Sequence, residues 1–428
     1  MKRVAVIGSG ISGLSAAYYL SRNFEVSVFE RDTRIGGHTH TVDVETRSGP
    51  LRLPETLAPP ETLAIDTGFI VHNDRTYPNL IRLLAELGVA TLPSQMSFGV
   101  SEPDTGFQYS SRGLAGFFAQ RANLYRPEHY LLLKEILRFN REAPGILTRP
   151  DLDRVSMGEV MEEGRYAKVF QSRYLFPMAA AVWSMPPASI AGFPALTLLR
   201  FFHNHGMLGI NTHPKWKVIA GGSRNYLKPL TAPFLDRITT GVEVRTVSRD
   251  ESGVVLHFAD RPAAPFDQVV FACHGNQILP LLESPTPRER DILGNFRTSR
   301  NEACLHTDAT LLPSLEAAQA AWNYSLHRDP GQPATLTYHM NRLQSLQSAT
   351  SYCVTLNDGG LIHPSAVIRR MVYHHPIYTA DAVRAQSRWQ EISGCNRTHF
   401  CGAYWFYGFH EDGLNSGLRV ARALGVRC

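Results

Sequence analysis

The sequence predicts an α/β fold with two lobes, one around a parallel sheet and one of mixed sheet and helix. Three observations predict it. A short apolar run at residues 3–7 leads into a glycine-rich turn and a helical pattern. Strand patterns return after residue 216, whereas residues 95–210 have mainly helical spacing. The 428 residues are enough for two or three interleaved lobes.

Composition limits the classes of function. Hydrophobic residues make up 43% and charged residues 19% of the chain, which indicates a globular protein. The net charge of +5 comes without a dense Lys/Arg tract, so nucleic acid is not expected as a partner. The six cysteines are scattered without a Cys-x-x-Cys pair, which indicates reduced thiols and no metal site. With no fitting signal peptide or membrane span, we expect a cytoplasmic protein that could contact the inner membrane face peripherally.

The first forty residues carry the clearest motif, in which Gly8, Gly10 and Gly13 follow the apolar run and Glu30 follows a second one. In a strand–turn–helix of this kind, the first glycine makes the tight turn and the second lets a pyrophosphate approach the backbone. The diphosphate meets free N–H groups at the helix N-terminus, and the acid accepts hydrogen bonds from the ribose. The motif predicts dinucleotide binding, with NAD and FAD both open, through Gly8, Ser9, Gly10, Ile11, Ser12, Gly13, Glu30, Arg31, Gly37, His38 and Thr39.

Local patterns place the remaining elements. A Pro/Thr/Glu-rich stretch at 45–63 predicts a surface excursion. Helices are predicted at 80–87, 114–124, 128–141 and 224–234, strands at 242–244, 254–258, 267–272, 334–340 and 351–356, and a closing strand, turn and helix at 398–425. We therefore divide the chain into a discontinuous nucleotide-binding domain (1–90, 215–290 and 396–428), a helical substrate lobe (91–214) and substrate-domain strands (291–395).

These motifs together resemble the flavin-containing amine oxidase and phytoene desaturase superfamily, whose N-terminal pattern continues into R-x-G-G. Arg34, Gly36 and Gly37 fit that pattern, and Arg34 could reach a phosphate or the flavin edge. The resemblance implies a Rossmann-like FAD domain, with Gly221-Gly222-Ser223 in its second segment. Its third segment is a helix N-terminus that faces the flavin pyrimidine ring and stabilises negative charge on reduced flavin. The further FAD contacts that it implies are Val242, Gly402, Gly408, His410 and Glu411.

A narrower resemblance covers most of the chain. Residues 301–312, 338–344, 374–376 and 401–413 are similar to a bacterial group of predicted NAD/FAD-binding proteins linked with cyclopropane fatty acid synthase-like methyltransferases. They also resemble the flavoprotein desaturases of furan fatty acid biosynthesis. This resemblance implies a fatty acyl substrate, methyl-branched or still part of a phospholipid, and a lipid methyltransferase as partner. No second G-x-G-x-x-G lies in mid-chain, which argues against a separate NAD(P)H domain.

Two departures separate the chain from amine oxidases. Their Lys that holds a water at flavin N5 corresponds to Asn301 here, and their ribityl-contacting Glu corresponds to Tyr404. Acyl desaturation needs a base beside the hydride acceptor, and His410, Tyr404 and His375 are the candidate catalytic residues. For His375 the alternative is a hydrogen-bonded turn. An oxidase of small amines and a non-catalytic flavoprotein partner of the methyltransferase remain the alternative functions.

Two apolar stretches suggest contact with lipid. Residues 174–183 with Phe201, Phe202, Met207 and Leu208 could line an acyl tunnel, or be ordinary core. The Phe117-Phe118-x-x-Arg121 and Tyr125-Arg126 stretch mixes aromatic and basic residues in the way of surfaces that dock on an anionic bilayer. The alternative there is a packed helix with basic ends.

Overall fold

The computed structural model of the protein describes residues 1–46, 62–209, 214–326 and 334–428. Most of the predicted excursion at 45–63 therefore lies outside the described residues. The strands are β1 (Arg3–Ile7), β2 (Glu25–Phe29), β3 (Thr41–Glu45), β4 (Thr62–Asp66), β5 (His72–Asn73), β6 (Thr91–Pro93), β7 (Phe98–Glu102), β8 (Phe107–Ser110), β9 (Trp216–Ile219), β10 (Ile238–Thr239), β11 (Val244–Arg249), β12 (Val254–Phe258), β13 (Ala264–Phe266), β14 (Gln268–Phe271), β15 (Arg297–His306), β16 (Trp322–Ser325), β17 (Thr335–His339), β18 (Cys353–Leu356), β19 (Val367–Ile377) and β20 (Thr398–Phe400).

The helices range from single turns to a 20-residue helix. They are α1 (Ile11–Leu20), α2 (Pro78–Glu86), α3 (Gly113–Phe117), α4 (Pro127–Ile146), α5 (Met157–Glu163), α6 (Lys168–Phe170), α7 (Phe176–Trp183), α8 (Pro187–Ile190), α9 (Ala195–Asn204), α10 (Leu227–Thr231), α11 (Gly275–Leu281), α12 (Pro287–Leu293), α13 (Met340–Leu343), α14 (Ala380–Gln386) and α15 (His410–Ala423). A π-helical turn at Gln171–Leu175 joins α6 to α7. In the described parts of the chain, no helix is long and apolar enough to cross a bilayer.

Two sheets organise the molecule, as the α/β prediction requires. The first is a parallel sheet in the order β10-β2-β1-β14-β20, so strands from the start, middle and end of the chain lie side by side. The second is a seven-stranded sheet in the order β19-β15-β18-β17-β16-β7-β8, mostly antiparallel. Each sheet has its own buried apolar cluster. This gives a two-lobe fold with the parallel sheet in one lobe and the mixed sheet in the other.

Several elements differ from the predictions. The stretch 91–214, which was predicted as helical, opens with β6, β7 and β8, and the last two strands belong to the seven-stranded sheet. The helix predicted at 114–124 is the short α3 followed by a 3₁₀ turn. The helix predicted at 224–234 is broken into 3₁₀ turns around α10. The predicted strand at 242–244 begins only at Val244, because the Gly241 and Val242 N–H groups donate to the carbonyls of Asp32 and Glu30.

Candidate functional site

The carboxyl ends of the parallel strands meet at one edge of the sheet. The glycine turn follows β1, Glu30 follows β2, His274 lies just beyond β14, and Gly402 lies just beyond β20. In open α/β sheets, ligands bind in the crevice outside these carboxyl ends. The fold therefore collects the N-terminal, middle and C-terminal segments at one place.

The glycine turn leaves room for a diphosphate. A Cβ on Gly8 would lie 2.8 Å from the Ala272 carbonyl oxygen, and one on Gly13 would collide with the Gly8 carbonyl oxygen. A Cβ on Gly10, in contrast, would meet no atom within 4 Å. Gly10 is the N-cap of α1 and supplies no side-chain hydrogen bond to the first turn. The turn is therefore closed on its packed side and open at the N-terminus of the helix, as a bound diphosphate requires.

Glu30 is fixed at the end of β2 by three donors. Its carboxylate accepts hydrogen bonds from the Ser9 N–H at 2.8 Å, the Ser9 hydroxyl at 2.6 Å and the Asp32 N–H at 3.0 Å. The Val242 N–H donates to the Glu30 carbonyl at 3.0 Å, so these two predicted FAD contacts lie side by side. Arg31 is exposed next to them.

The loop that contains Gly36 and Gly37 packs against the first glycine turn. A Cβ on Gly37 would lie 3.1 Å from the Gly10 Cα, so the two loops are in contact. Arg34 holds this loop by donating to the carbonyls of Gly37 at 2.8 Å and Thr39 at 3.1 Å. Its guanidinium therefore stabilises the loop, and contact with a phosphate or the flavin edge stays a prediction. His38, next in the chain, has a buried Nε2 without a partner among the described residues.

His410 begins α15 and is held in a hydrogen-bonded chain. Its ring stacks on Phe69 at 3.8 Å, and its Nε2 is 2.8 Å from the Tyr226 hydroxyl, which also contacts the Thr39 hydroxyl. Burial lowers the pKa of His410 to about 3. A general base works best with a pKa near the working pH, so this neutral imidazole is poorly suited to be the base.

The other two candidate catalytic residues lie in different surroundings. Nδ1 of His375 is 3.0 Å from the Asn301 amide nitrogen, the ring centroid is 5.3 Å from that of His38, and burial lowers the pKa of His375 to about 4. Tyr404 packs in the core against Phe296, and burial raises the pKa of its hydroxyl well above the usual value. The structure therefore brings His375 to His38 and buries Tyr404 in the core.

The N-terminal turn of α15 contains two further acids. The Glu411 carboxylate accepts the N–H groups of Asn79 at 3.0 Å and Leu80 at 2.8 Å and so caps α2, and its contact with FAD stays a prediction. Asp412 accepts the Phe409 N–H at 2.9 Å, and burial raises the pKa of Asp412 to about 7. Sequence reasoning missed Asp412. Its position three residues after Phe409, where a helix-capping acid belongs, was the available signal.

A cavity of about 720 Å³ lies beside this turn, between the start of α2 and the end of α9. Its lining combines aromatic and apolar side chains with uncharged hydrogen-bonding groups and a few charged residues. The lining residues are Arg75, Thr76, Tyr77, Pro78, Asn79, Pro144, His203, Asn204, His205, Gly206, Leu208, Tyr407, Phe409, Glu411, Asp412 and Asn415.

The middle segment acts in packing. Ser223 donates its N–H and its hydroxyl to Asp66, and a Cβ on Gly222 would lie 2.6 Å from the Thr41 side chain. Gly221-Gly222-Ser223 therefore joins the β3–β4 hairpin to α10.

The residues at the carboxyl edge of the parallel sheet fit FAD. Gly8 to Gly13, Glu30, Val242 and the loop at 36–39 would hold it. No group of three or more potential metal ligands occurs among the described residues.

The chain is similar to known oxidases over short segments. Short segments match protoporphyrinogen oxidase 2 of Arabidopsis thaliana (60% identity over 42 residues) and an L-amino-acid oxidase of Sistrurus catenatus edwardsii (46% over 57 residues). These segments span 10% and 12% of this chain, and 8% and 11% of those proteins.

Solved structures match along the whole chain. A putrescine oxidase bound to putrescine has a TM-score of 0.69 at 15% identity, and the match covers 100% of this chain and 99% of the other. A CLA-producing fatty acid isomerase from P. acnes has a TM-score of 0.67 at 13% identity, with 99% of both chains covered. The family model described as flavin containing amine oxidoreductase matches residues 11–333. The chain therefore belongs to the flavin containing amine oxidoreductase family and is an FAD-dependent oxidoreductase.

Proposed function

We propose that this oxidoreductase dehydrogenates a fatty acyl chain, either free or within a phospholipid and with or without a methyl branch. The observation that carries the proposal is the aromatic wall of the cavity beside α15. Phe409 and Tyr407 line the cavity, and Phe201 stacks on Phe409 at a centroid distance of 4.8 Å. Trp183 packs behind Phe201 at 5.0 Å. An uncharged aromatic wall favours an apolar chain.

The charges of the cavity support the same choice. The Glu411 carboxylate is held by two N–H groups of α2, and Asp412 accepts the Phe409 N–H. Burial raises the pKa of both carboxyl groups, which shows that the site disfavours their charged forms. Both carboxyl groups already have backbone N–H partners, so neither is reserved for a substrate ammonium. An acyl chain requires no such partner.

Dehydrogenation removes a hydride and a proton from neighbouring carbons, or from carbons related through a double bond. When bound, FAD supplies the acceptor for the hydride. The chain must supply the proton acceptor, and Asp412 is the side chain that we assign to this step. Its pKa of about 7 suits proton transfer at neutral pH, and it lines the same cavity as Phe409. A new carbon–carbon double bond forms as the substrate loses two hydrogens.

The fold accommodates more than one substrate class. It is shared with the fatty acid isomerase of P. acnes and with putrescine oxidase, so fold alone leaves both acyl chains and amines open. The aromatic wall and Asn301, in place of the lysine of amine oxidases, favour the acyl chain.

We further propose a cytoplasmic location, on the basis of the free thiols, and a lipid methyltransferase partner, on the basis of the narrower sequence resemblance.

Expression in a bacterium that makes methyl-branched fatty acids tests this function. We expect lipid mass spectrometry to find a product two hydrogens lighter than its precursor.

The Asp412→Asn substitution tests the role of the proton acceptor. It keeps an acceptor for the Phe409 N–H and should keep the flavin, but it should lower turnover by about 10²-fold or more because the proton acceptor is lost. Asp381→Asn, at an exposed position, is the matched control.

The rival functions give different results in the same experiment. An unchanged lipid profile with hydrogen peroxide released from small amines would replace the proposal by amine oxidation. A flavoprotein that lacks both activities but co-purifies with the methyltransferase would make it an accessory subunit. Full lipid turnover by Asp412→Asn would remove that residue from the reaction while leaving the substrate assignment intact.

A further inference from the structure

An exposed apolar patch covers the outer side of the second lobe. Relative exposure reaches 86% for Tyr125 and 71% for Leu114, and Leu124, Tyr130 and Leu131 are exposed as well. We call these five residues the 114–131 patch. The Tyr130 hydroxyl donates to the Leu124 carbonyl at 2.9 Å, which ties the start of α4 to the preceding turn. Tyr125 and Leu131 adjoin this pair in the sequence, and Leu114 lies one helical turn before Phe118, which packs against Tyr130.

The polypeptide beneath the patch is firmly held. His129 Nε2 is 2.8 Å from the Phe117 carbonyl oxygen, and the two rings stack at 4.1 Å. Phe117 is buried, and Phe118 packs against Tyr130 at 5.7 Å. Of the residues that the sequence suggested for membrane docking, Phe117 thus anchors the surface from within. Leu114, Leu124 and Tyr125 remain exposed beside this packing, and contiguous exposed apolar residues mark interaction sites.

The sequence segment that contains the patch is basic. Between residues 112 and 134 the sequence has four basic residues and one acidic residue. The acid, Glu128, is paired with Arg173 at 3.1 Å. Arg126 donates to the side-chain amide oxygens of Gln120 and Asn123, while Arg121 and Lys134 are exposed. The part of the rim that residues 112–134 form is therefore positively charged.

The charge decides between two occupants. A second copy of the chain, meeting the patch through a two-fold axis, would place the same basic residues opposite one another. An anionic lipid surface offers opposite charge for the rim and an apolar layer for the patch. We propose that the 114–131 patch docks the protein on an anionic bilayer, with Tyr125, Leu114 and Leu124 entering the interface. This inference rests on exposure and charge and does not depend on the proposed substrate.

Vesicle co-sedimentation of the full-length, flavin-loaded protein tests the docking. We expect binding to vesicles of phosphatidylcholine with 30% phosphatidylglycerol and much weaker binding to pure phosphatidylcholine. The variant L114S/L124S/Y125S should bind at least about tenfold more weakly. R121E and K134E should each weaken binding by about fivefold or more, because one basic residue near an anionic surface contributes about that factor.

The control is Leu235→Ser, which changes a leucine with 60% exposure on a different element and should leave partitioning unchanged. Retained flavin absorbance in every variant will show that the fold is intact. Equal binding to both vesicle types, no binding above background, or full binding by the triple variant would overturn the proposal. Self-association that is lost in L114S/L124S/Y125S, without vesicle binding, would assign the patch to a second copy instead.

Discussion

A substitution at Gly10 can change cofactor binding without changing folding. A Cβ at this position meets no protein atom within 4 Å, so Gly10→Val should fold with little change in stability. Its side chain would occupy the space that the N-terminus of α1 leaves for a diphosphate. We expect the purified variant to be colourless, with a thermal midpoint close to that of flavin-free wild type. Flavin content equal to wild type would show that the diphosphate lies elsewhere.

Site residues that lie close together in the sequence could be predicted, whereas residues far apart in the sequence could not. Gly8, Gly10, Gly13 and Glu30 lie within thirty residues of each other in a fixed pattern, so their convergence could be read directly. FAD contact by the individual residues stays a prediction. Residues brought together over long separations could not be found in this way. Tyr226 reaches His410 across 184 positions, and Asp412 gains its raised pKa only from the packing around α15.

The packing of helix α15 on helix α1 positions the N-terminus of α1 in the nucleotide-binding site. A Cβ on Gly417 would collide with the Ser15 hydroxyl oxygen and lie 2.5 Å from the Ser12 carbonyl oxygen. Gly417→Ala should therefore lower the free energy of unfolding by about 1–3 kcal/mol and weaken FAD retention, because α1 carries the diphosphate site. Urea unfolding and flavin absorbance measure the two effects.

Gly145→Ala is the matched control for this change. Gly145 is exposed within α4, and a Cβ there meets no atom within 4 Å. Alanine should stabilise this helix by about 0.5–1 kcal/mol. If both substitutions have the same effect on stability, close contact between α15 and α1 does not set the position of the helix.

Element prediction succeeded where apolar periodicity was strong. The buried strands of the parallel sheet and the long helix α4 were found for this reason. The ten-residue β15 and eleven-residue β19 were missed because they pair with each other while carrying Arg, Glu and His on exposed positions. β7 pairs with β16, more than two hundred residues away, and no local pattern indicates such a partner.

Buried imidazoles give the whole molecule an expected pH dependence. Their folded pKa values lie well below the unfolded value of about 6.5. The unfolded chain therefore binds more protons between about pH 4 and 6.5, so stability rises with pH across this window. Three carboxyl groups with raised pKa values oppose this trend but are fewer, namely Asp66 (about 6), Asp412 (about 7) and Glu411. The pKa is lowered to about 4 for His40, His72, His205, His274, His306, His339, His375 and His399.

We expect the free energy of unfolding to fall by several kcal/mol when the pH is lowered from 7 to 5, because the unfolded chain takes up protons that the buried imidazoles do not. Tryptophan fluorescence during urea unfolding at each pH measures the change. Equal or greater stability at pH 5 would contradict the neutral, buried state assigned to these rings.

The proposed function assigns the carboxyl edge of the parallel sheet to FAD and the aromatic cavity beside α15 to the acyl chain. The most direct test of acyl dehydrogenation is anaerobic mixing of the oxidised, flavin-loaded protein with a methyl-branched phospholipid or with putrescine. We predict that the lipid alone bleaches the visible absorbance of the flavin and yields a lipid two hydrogens lighter. Bleaching by putrescine with none by the lipid would contradict an acyl substrate and identify an amine oxidase.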